Sequence, residues 1–181
     1  MQLNYIANAS APSASGRTIS VIDPSDGQPF DDIQRSNAQD IDAAVHAARQ
    51  CFDAVWCKTS AAERGRLLMK LSAKVAEHAD ELAAIEQRDC GKPTKQAKAD
   101  ALALVRYFEY YAGACDKLHG ETIPYQDGYS VLTWREPHGV TGHIIPWNYP
   151  MQIFGRSVGG ALAAGNVSVV KPAEDACLSL I

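Results

Sequence analysis

The chain has 181 residues, 46% hydrophobic and 21% charged, which is close to the composition of soluble globular proteins. Its 17 basic and 21 acidic residues give a formal net charge of −4 without any basic run, which excludes the usual electrostatic surface for nucleic acid or anionic lipid. No segment approaches the roughly 20 apolar residues of a membrane helix, and residues 1–17 lack the pattern of a signal peptide, so we expect a cytoplasmic protein.

Residues 1–35 predict strands and turns. Thr18–Ile22 is β-branched and partly alternating, as expected of a strand. Asp23–Gly27 follows as a turn, because Pro24 presets φ and Gly27 accepts a positive φ.

Residues 36–118 predict four helices. The first should begin at a capping box formed by Ser36–Gln39, and the second at a box formed by Ser60–Glu63. The third covers Asp80–Arg88 and the fourth Lys95–Lys117. Apolar residues at spacings of three and four predict core-facing stripes: Ile41, Ala44, Val45, Ala48, Phe52 and Val55 in the first helix, Leu67, Leu68, Leu71 and Val75 in the second, and Leu104, Val105, Phe108 and Ala112 in the fourth.

Residues 119–137 predict a β-hairpin. Glu121–Tyr125 and Tyr129–Arg135 are the two strands, and Asp127-Gly128 between them is typical of a tight hairpin turn.

Residues 138–181 predict the start of a parallel sheet. Val140–Trp147 and Asn166–Lys171 have the pattern of strands, and Met151–Ala164 between them is a helix rich in glycine and alanine, whose small residues should allow close approach to a sheet. The predicted fold class is therefore α/β, with a helical and β-hairpin region that leads into the first βαβ unit of a Rossmann-like sheet. One such unit cannot cover both faces of a sheet, so we expect either a fragment or a partner chain that completes the sheet, and favour the fragment.

The cysteines give no sign of a metal centre. There are five, none in a CxxC pair, and the five histidines are scattered, so we predict no metal site. Each cysteine is expected to be a small buried hydrophobic residue. Cys90 precedes Gly91 and is the most plausible nucleophile of the five, but no partner histidine lies near it in the sequence, so we assign it a structural role.

The ends of the two predicted parallel strands carry the candidate site, since ligands of open α/β sheets bind outside the carboxyl ends of the strands. Asn148 offers an amide donor for an oxyanion, although a turn residue before Pro150 is the simpler interpretation. Lys171 and Glu174 offer a donor and an acceptor for ribose hydroxyls, although their spacing alone favours a solvated surface ion pair. No GxGxxG or P-loop motif supports phosphate binding.

Three motifs together resemble the aldehyde dehydrogenase superfamily. They are Gly139–Pro150 (GVTGHIIPWNYP), Ala161–Val167 (ALAAGNV) and Lys171–Glu174 (KPAE). Weaker matches extend the resemblance from about Val21 to Ile181: Asp23-Pro24, Asp26-Gly27, Gly91–Pro93, Tyr110–Gly113, His119–Pro124 and Arg135–Pro137.

The resemblance implies an enzyme that oxidises an aldehyde to the acid with NAD(P)+ through a cysteine thiohemiacetal. Asn148 matches the family's oxyanion-binding asparagine, and the cofactor-binding positions that match are Ile145, Trp147, Lys171 and Glu174. A carboxylate at position 174 would repel a 2′-phosphate, so NAD is expected rather than NADP. The resemblance also implies a homo-oligomer when the protein is complete.

Two positions on the predicted crossover helix depart from the commoner family pattern. Ser157 stands where many members have a lysine, so the proton relay of that lysine is in doubt here. Arg156 stands where members that act on succinate semialdehyde have an arginine, which could bind a substrate carboxylate in a bidentate manner. An acidic or semialdehyde substrate is therefore one hypothesis, and an Arg156 paired with a protein carboxylate is the other.

The resemblance also implies that the nucleophilic cysteine, the general-base glutamate and the pyrophosphate loop lie beyond Ile181. On that expectation the chain is the N-terminal part of a cofactor-binding domain without its catalytic domain, and is inactive alone. The alternative is a catalytically inactive fragment that serves in nucleotide binding or assembly.

Overall fold

The computed structural model describes residues 1–181 and has α/β architecture. Its strands are β1 (Asn4–Ile6), β2 (Ala9–Ala11), β3 (Thr18–Ile22), β4 (Pro29–Gln34), β5 (Thr122–Ile123), β6 (Val131–Leu132), β7 (Val140–Ile145) and β8 (Val167–Pro172). Its helices are α1 (Ala38–Ala54), α2 (Ala61–Glu77), α3 (Ala79–Cys90), α4 (Thr94–Ala114) and α5 (Pro150–Ala163), with short 3₁₀ helices at Trp56–Lys58 and Leu178–Leu180. No helix is both long and apolar enough to cross a membrane.

The N-terminal strands form two antiparallel pairs, β1 with β2 and β3 with β4. The predicted strand Thr18–Ile22 and the turn after it are confirmed. The Asp23 carboxylate accepts a hydrogen bond from the Ser25 backbone N–H at 2.9 Å, and Gly27 has the positive φ of +72° that the turn requires.

The predicted start of the second helix is confirmed, and that of the first is wrong by one residue. Ser60 and Glu63 form a reciprocal capping box on α2. On α1 the box is made by Asn37 and Asp40, because the hydroxyl of Ser36 instead donates to Asn4 Oδ1 at 2.9 Å.

The core lies where α4 packs against α2, α3 and α5. Leu68, Val75, Leu104, Phe108 and Met151 are buried there, and each large side chain contributes roughly 1.5–3 kcal/mol through its burial. The inward face predicted for the fourth helix is thereby confirmed at Leu104 and Phe108, and Gly91, with φ +67°, ends α3 as predicted.

The apolar stripe predicted to bury one face of the first helix is only partly buried, with Ala44, Ala48 and Phe52 half-buried. Asp40 is the single buried residue of α1, and Ile41, Val45 and Val55 are 44%, 42% and 61% exposed. The helix contacts β7 and β8, and a sheet of two strands offers too little surface to cover the whole stripe. Leu67 and Leu71 of α2 are exposed as well, contrary to the prediction.

The βαβ unit is confirmed, with β7 and β8 parallel and α5 between them. The glycines of α5 serve a different neighbour from the one predicted. A Cβ on Gly155 would lie 2.8 Å from Leu104 Cδ1, and one on Gly159 would lie 2.7 Å from Tyr111 Cδ2. The close approach is therefore between α5 and α4, rather than between α5 and the sheet.

The hairpin is also confirmed, with shorter strands than predicted. Only Thr122 with Leu132 and Ile123 with Val131 pair across it, and Gly128 has φ +83° in the turn.

Candidate functional site

The carboxyl ends of β7 and β8 lie at the same edge of the sheet. Ile144 is the parallel partner of Lys171, and Ile145 is the partner of Pro172. Asn148 and Glu174 follow these strand ends, so the sequence-predicted oxyanion donor and ribose-binding pair share one edge.

Lys171 and Glu174 form an ion pair at this edge. Lys171 Nζ lies 2.7 Å from Glu174 Oε2, and the two side chains are 52% and 57% exposed. The hydrogen bond from Lys171 holds the pKa of Glu174 below its usual value, so the carboxylate is ionised at neutral pH. An exposed pair of this kind fits both a ribose-binding site and a solvated surface contact.

Asn148 lies in the bend between β7 and α5, and its side chain is exposed. Its neighbours on either side are held by the protein, whereas its own amide points to no partner within residues 1–181. The amide N–H is consequently available to an external acceptor.

The two apolar positions predicted to line a cofactor cleft differ in accessibility. Trp147 is 62% exposed and can contact a ligand. Ile145 is 1% exposed, so its side chain offers almost no surface to a ligand within residues 1–181, and its cofactor-binding role stays a prediction. Because side chains alternate along a strand, its neighbour Ile144 points to the opposite face and is 82% exposed, and sequence reasoning missed this residue.

Arg156 is exposed on α5. Its guanidinium lies 5.9 Å from the ring centroid of Tyr107, and none of the ion pairs of the chain includes it. The guanidinium therefore has no carboxylate partner within residues 1–181.

Ser157 takes part in a short chain of hydrogen bonds that the sequence did not reveal. Its hydroxyl lies 2.6 Å from His143 Nδ1, and His143 Nε2 lies 2.9 Å from Thr141 Oγ1. Partial burial lowers the pKa of His143, which favours the neutral imidazole. Thr141 and His143 are two residues apart on β7, so the sequence already places them on one face of the strand. Ser157 reaches them only because α5 packs against that face, which the sequence does not show.

Three of the five cysteines lack the environment of a nucleophile. Burial raises the pKa of Cys90 and of Cys177 to about 12, and burial also raises the pKa of Cys115, so all three are protonated thiols at neutral pH. The prediction of burial is wrong for Cys51 and Cys57, which are exposed on α1 and in the 3₁₀ turn after it.

A buried ionic cluster lies beneath the Asn148 bend. Lys92 Nζ lies 2.6 Å from Glu86 Oε1 and 2.8 Å from Asp100 Oδ2, and both carboxylates are fully buried. Burial alone would lower the pKa of Lys92, but the hydrogen bonds to Asp100 and Glu86 outweigh it and raise that pKa. For Asp100, hydrogen bonds from Lys92 and two glutamines outweigh burial and lower the pKa. Helical periodicity alone could not predict this cluster, because its members come together only in the folded structure.

Comparisons with known proteins agree on one family. A sequence model of the aldehyde dehydrogenase family matches residues 11–181. Aldehyde dehydrogenase [NAD(P)+] 2 of Saccharomyces cerevisiae is 45% identical over 179 residues, which are 98% of this chain and 35% of that protein. Hydroxyisobutyraldehyde dehydrogenase of Mycolicibacterium austroafricanum is also 45% identical, over 99% of this chain and 35% of that protein.

Solved structures show the same architecture. A protein of Burkholderia cenocepacia is 68% identical and superposes with a TM-score of 0.96 over 98% of this chain and 38% of that one. PnpE in complex with nicotinamide adenine dinucleotide is 38% identical, with a TM-score of 0.94 over 98% of this chain and 37% of that one. The chain thus spans about 35% of the length of the curated relatives that it matches.

Proposed function

The chain belongs to the aldehyde dehydrogenase family, and from that membership we propose that the full-length protein oxidises an aldehyde to its carboxylic acid with NAD. The proposal depends above all on one observation, that Asn148 presents an unpaired amide at the same sheet edge as the Lys171–Glu174 pair. In this proposal residues 1–181 are the N-terminal part of the cofactor-binding domain, with strands and turns to residue 35, helices to 118, the hairpin to 137 and the Rossmann-like sheet after it.

Lys171 and Glu174 would hold the adenosine ribose. The ammonium donates and the carboxylate accepts, so the two can engage vicinal hydroxyls, and both are accessible at the strand end. The ionised carboxylate of Glu174 would repel a 2′-phosphate, which favours NAD over NADP. When bound, NAD supplies the hydride acceptor.

Asn148 would stabilise the oxyanion. When a thiolate adds to the aldehyde carbonyl, the oxygen becomes negative, and a fixed amide N–H at that point lowers the barrier. Losing one such donor typically costs about 10²- to 10³-fold in kcat.

The thiolate itself would come from outside residues 1–181. Cys115 and Cys177 are buried and Cys90 is partly buried, and burial raises the pKa of all three thiols. None of the five cysteines lies in a motif that resembles the family's nucleophile. A polypeptide of residues 1–181 is therefore expected to form no NADH from any aldehyde. Its activity with an aldehyde and NAD would contradict this part of the proposal.

The substrate and assembly follow from the same family membership. Arg156, without a carboxylate partner in the chain, would bind the carboxylate of an acidic aldehyde or semialdehyde. We also propose that the protein is cytoplasmic and, as the family resemblance implies, a homo-oligomer when complete.

The experiment that tests the function replaces Asn148 by alanine in the full-length protein. We expect kcat/KM for the aldehyde to fall by about 10²- to 10³-fold, while the Kd for NAD and the melting temperature stay unchanged because the side chain is exposed. Gln50→Ala on α1 is the matched control, since it removes another exposed amide and should change none of the three. An unchanged kcat/KM in Asn148→Ala would show that Asn148 is only a turn residue.

A further inference from the structure

The bend that presents Asn148 is held on both sides by residues of α3 and the loop after it. Cys90 Sγ donates to the Trp147 carbonyl at 3.7 Å, and Lys92 Nζ lies 5.1 Å from the ring centroid of Tyr149. On the far side of the bend, the Met151 backbone N–H donates to Glu86 Oε2 at 3.2 Å. The protein therefore fixes the backbone around Asn148 and leaves its side chain free.

Glu86 caps α5 from a different helix. Tyr149, at the N-cap of α5, provides no side-chain hydrogen bond, and Pro150 at the first position has no N–H. Met151 carries the next backbone N–H, and the carboxylate that accepts it is fully buried. A carboxylate at this point also interacts favourably with the positive end of the helix dipole.

The same carboxylate forms an ion pair with Lys92. Lys92 bridges Glu86 and Asp100, while Ser179 Oγ donates to Glu86 Oε2 at 3.0 Å. Asp100 in turn accepts from the side-chain amide of Gln152, the residue after Met151, at 2.7 Å. The cluster thus holds two successive residues of the first turn of α5, which begins two residues after Asn148.

We infer that Glu86 and Lys92 are positioning residues that fix the first turn of α5 and so aim the Asn148 amide at the oxyanion. The inference rests on the oxyanion role proposed for Asn148. Neither residue touches the substrate; each acts through the backbone that carries Asn148. A displacement of about 1 Å at a reacting centre can cost about 100-fold in rate, so loss of this support has a measurable kinetic effect.

A double-mutant cycle in the full-length protein tests the inference. Glu86→Gln keeps the shape of the side chain and removes its charge, and it is combined with Asn148→Ala. We expect Glu86→Gln alone to lower kcat/KM for the aldehyde by about 10- to 100-fold with little change in KM for NAD, and to cause no further loss when Asn148 is already alanine. Equal losses in the two backgrounds would mean that Glu86 supports the fold in general, and would overturn the inference.

The cycle separates this inference from the proposed function. If Asn148→Ala alone leaves kcat/KM unchanged, the oxyanion role itself fails, whatever Glu86→Gln does. If Asn148→Ala lowers kcat/KM, but Glu86→Gln lowers it by the same factor with and without Asn148, only the positioning role fails.

A matched control and a second variant address folding. Asp40→Asn changes another buried carboxylate that caps a helix, far along the chain from Asn148, and is expected to lower the melting temperature without any coupling to Asn148→Ala. If Glu86→Gln does not fold, Lys92→Arg keeps the positive charge with a different geometry, and should likewise lower kcat/KM only when Asn148 is present. Losses of equal size in both backgrounds would overturn the inference for this variant too.

Discussion

Lys171 is the parallel partner of Ile144, one residue before the end of β7. This register brings the Lys171–Glu174 pair and the Asn148 bend to one edge of the sheet, although 23 positions of sequence separate Asn148 from Lys171. In the proposed function, a cofactor bound along this edge would contact the pair while the reacting carbonyl approaches Asn148.

The first prediction concerns the choice between NAD and NADP. Glu174→Gln removes the negative charge and keeps a hydrogen-bond acceptor for the ribose. We expect the ratio of kcat/KM for NADP to that for NAD to rise about 5- to 10-fold, which corresponds to about 1–1.4 kcal/mol of lost repulsion. Steady-state kinetics of the full-length enzyme with both cofactors measures this ratio.

Glu77→Gln is the matched control for that experiment. Glu77 pairs with Lys74 at 2.6 Å, also three residues apart and exposed, but on α2. It should leave the cofactor ratio unchanged. If Glu174→Gln behaves like Glu77→Gln, Lys171 and Glu174 are a solvated surface pair without a part in cofactor choice.

The second prediction concerns the substrate. With the free guanidinium of Arg156 available, the enzyme should prefer an aldehyde with an ω-carboxylate to its neutral analogue. Arg156→Ala should remove this preference and lower kcat/KM for the acidic aldehyde by about 10- to 100-fold, as expected for loss of a charged hydrogen-bonding partner. Arg106→Ala, which removes an exposed arginine paired with Glu109 on α4, should change neither value. The absence of any preference in the unmodified enzyme would contradict an acidic substrate.

The sequence predicts the elements whose signals are local. The capping box of Ser60 and Glu63, the left-handed Gly91 and the parallel strands around α5 all follow from neighbouring residues. The first capping box is misplaced by one residue because Ser36 and Asn37 are both good N-cap residues, and the contact of Ser36 with Asn4 decides between them.

The rest depends on contacts between distant parts of the chain. In the sequence, Glu86 and Asp100 look like solvated charges on the surface of a helix. In the fold both carboxylates are buried, and Lys92 lies between them and pairs with both. In the same way, the apolar stripe of α1 would be fully buried only against a larger sheet. The sheet of β7 and β8 that α1 contacts has two strands, so part of the stripe is exposed. The candidate site residues could thus be named from the sequence, whereas the contacts that support them could not.

The third prediction tests the close contact between α4 and α5. Gly159→Ala would bring a Cβ within 2.7 Å of the Tyr111 ring, so we expect it to destabilise the protein by about 1–3 kcal/mol despite the better helix propensity of alanine. Gly113→Ala on α4 is the control, because a Cβ there meets nothing within 4 Å and should stabilise by up to about 1 kcal/mol. Melting temperatures of both variants of the full-length protein should move in opposite directions. A stabilising Gly159→Ala would contradict the tight packing of Tyr111.

The fourth prediction concerns Asp89, a buried carboxylate on α3 with one unpaired oxygen. Its Oδ2 accepts the Leu178 backbone N–H at 2.8 Å, whereas Oδ1 has no partner. Burial raises its pKa above the usual 3.8, with the nearby Glu86 carboxylate adding to the rise. The folded state therefore binds the proton more tightly than the unfolded state, and stability falls as the pH rises from about the usual value through the raised one.

Asp89→Asn keeps an acceptor for Leu178 and removes the charge. We expect it to raise the melting temperature at pH 7 by about 2–4 °C, the shift that corresponds to roughly 1 kcal/mol, and to lose this advantage at acid pH where Asp89 is protonated. Asp40→Asn should show the opposite sign, because hydrogen bonds from the Ala14 and Asn37 backbones lower the pKa of Asp40 and its ionised form stabilises the fold. Its destabilising effect should be present at pH 7 and shrink as the pH falls below about 3.8. If Asp89→Asn instead lowers the melting temperature at pH 7, as Asp40→Asn is expected to do, the unpaired oxygen of Asp89 does not impose the cost argued for it.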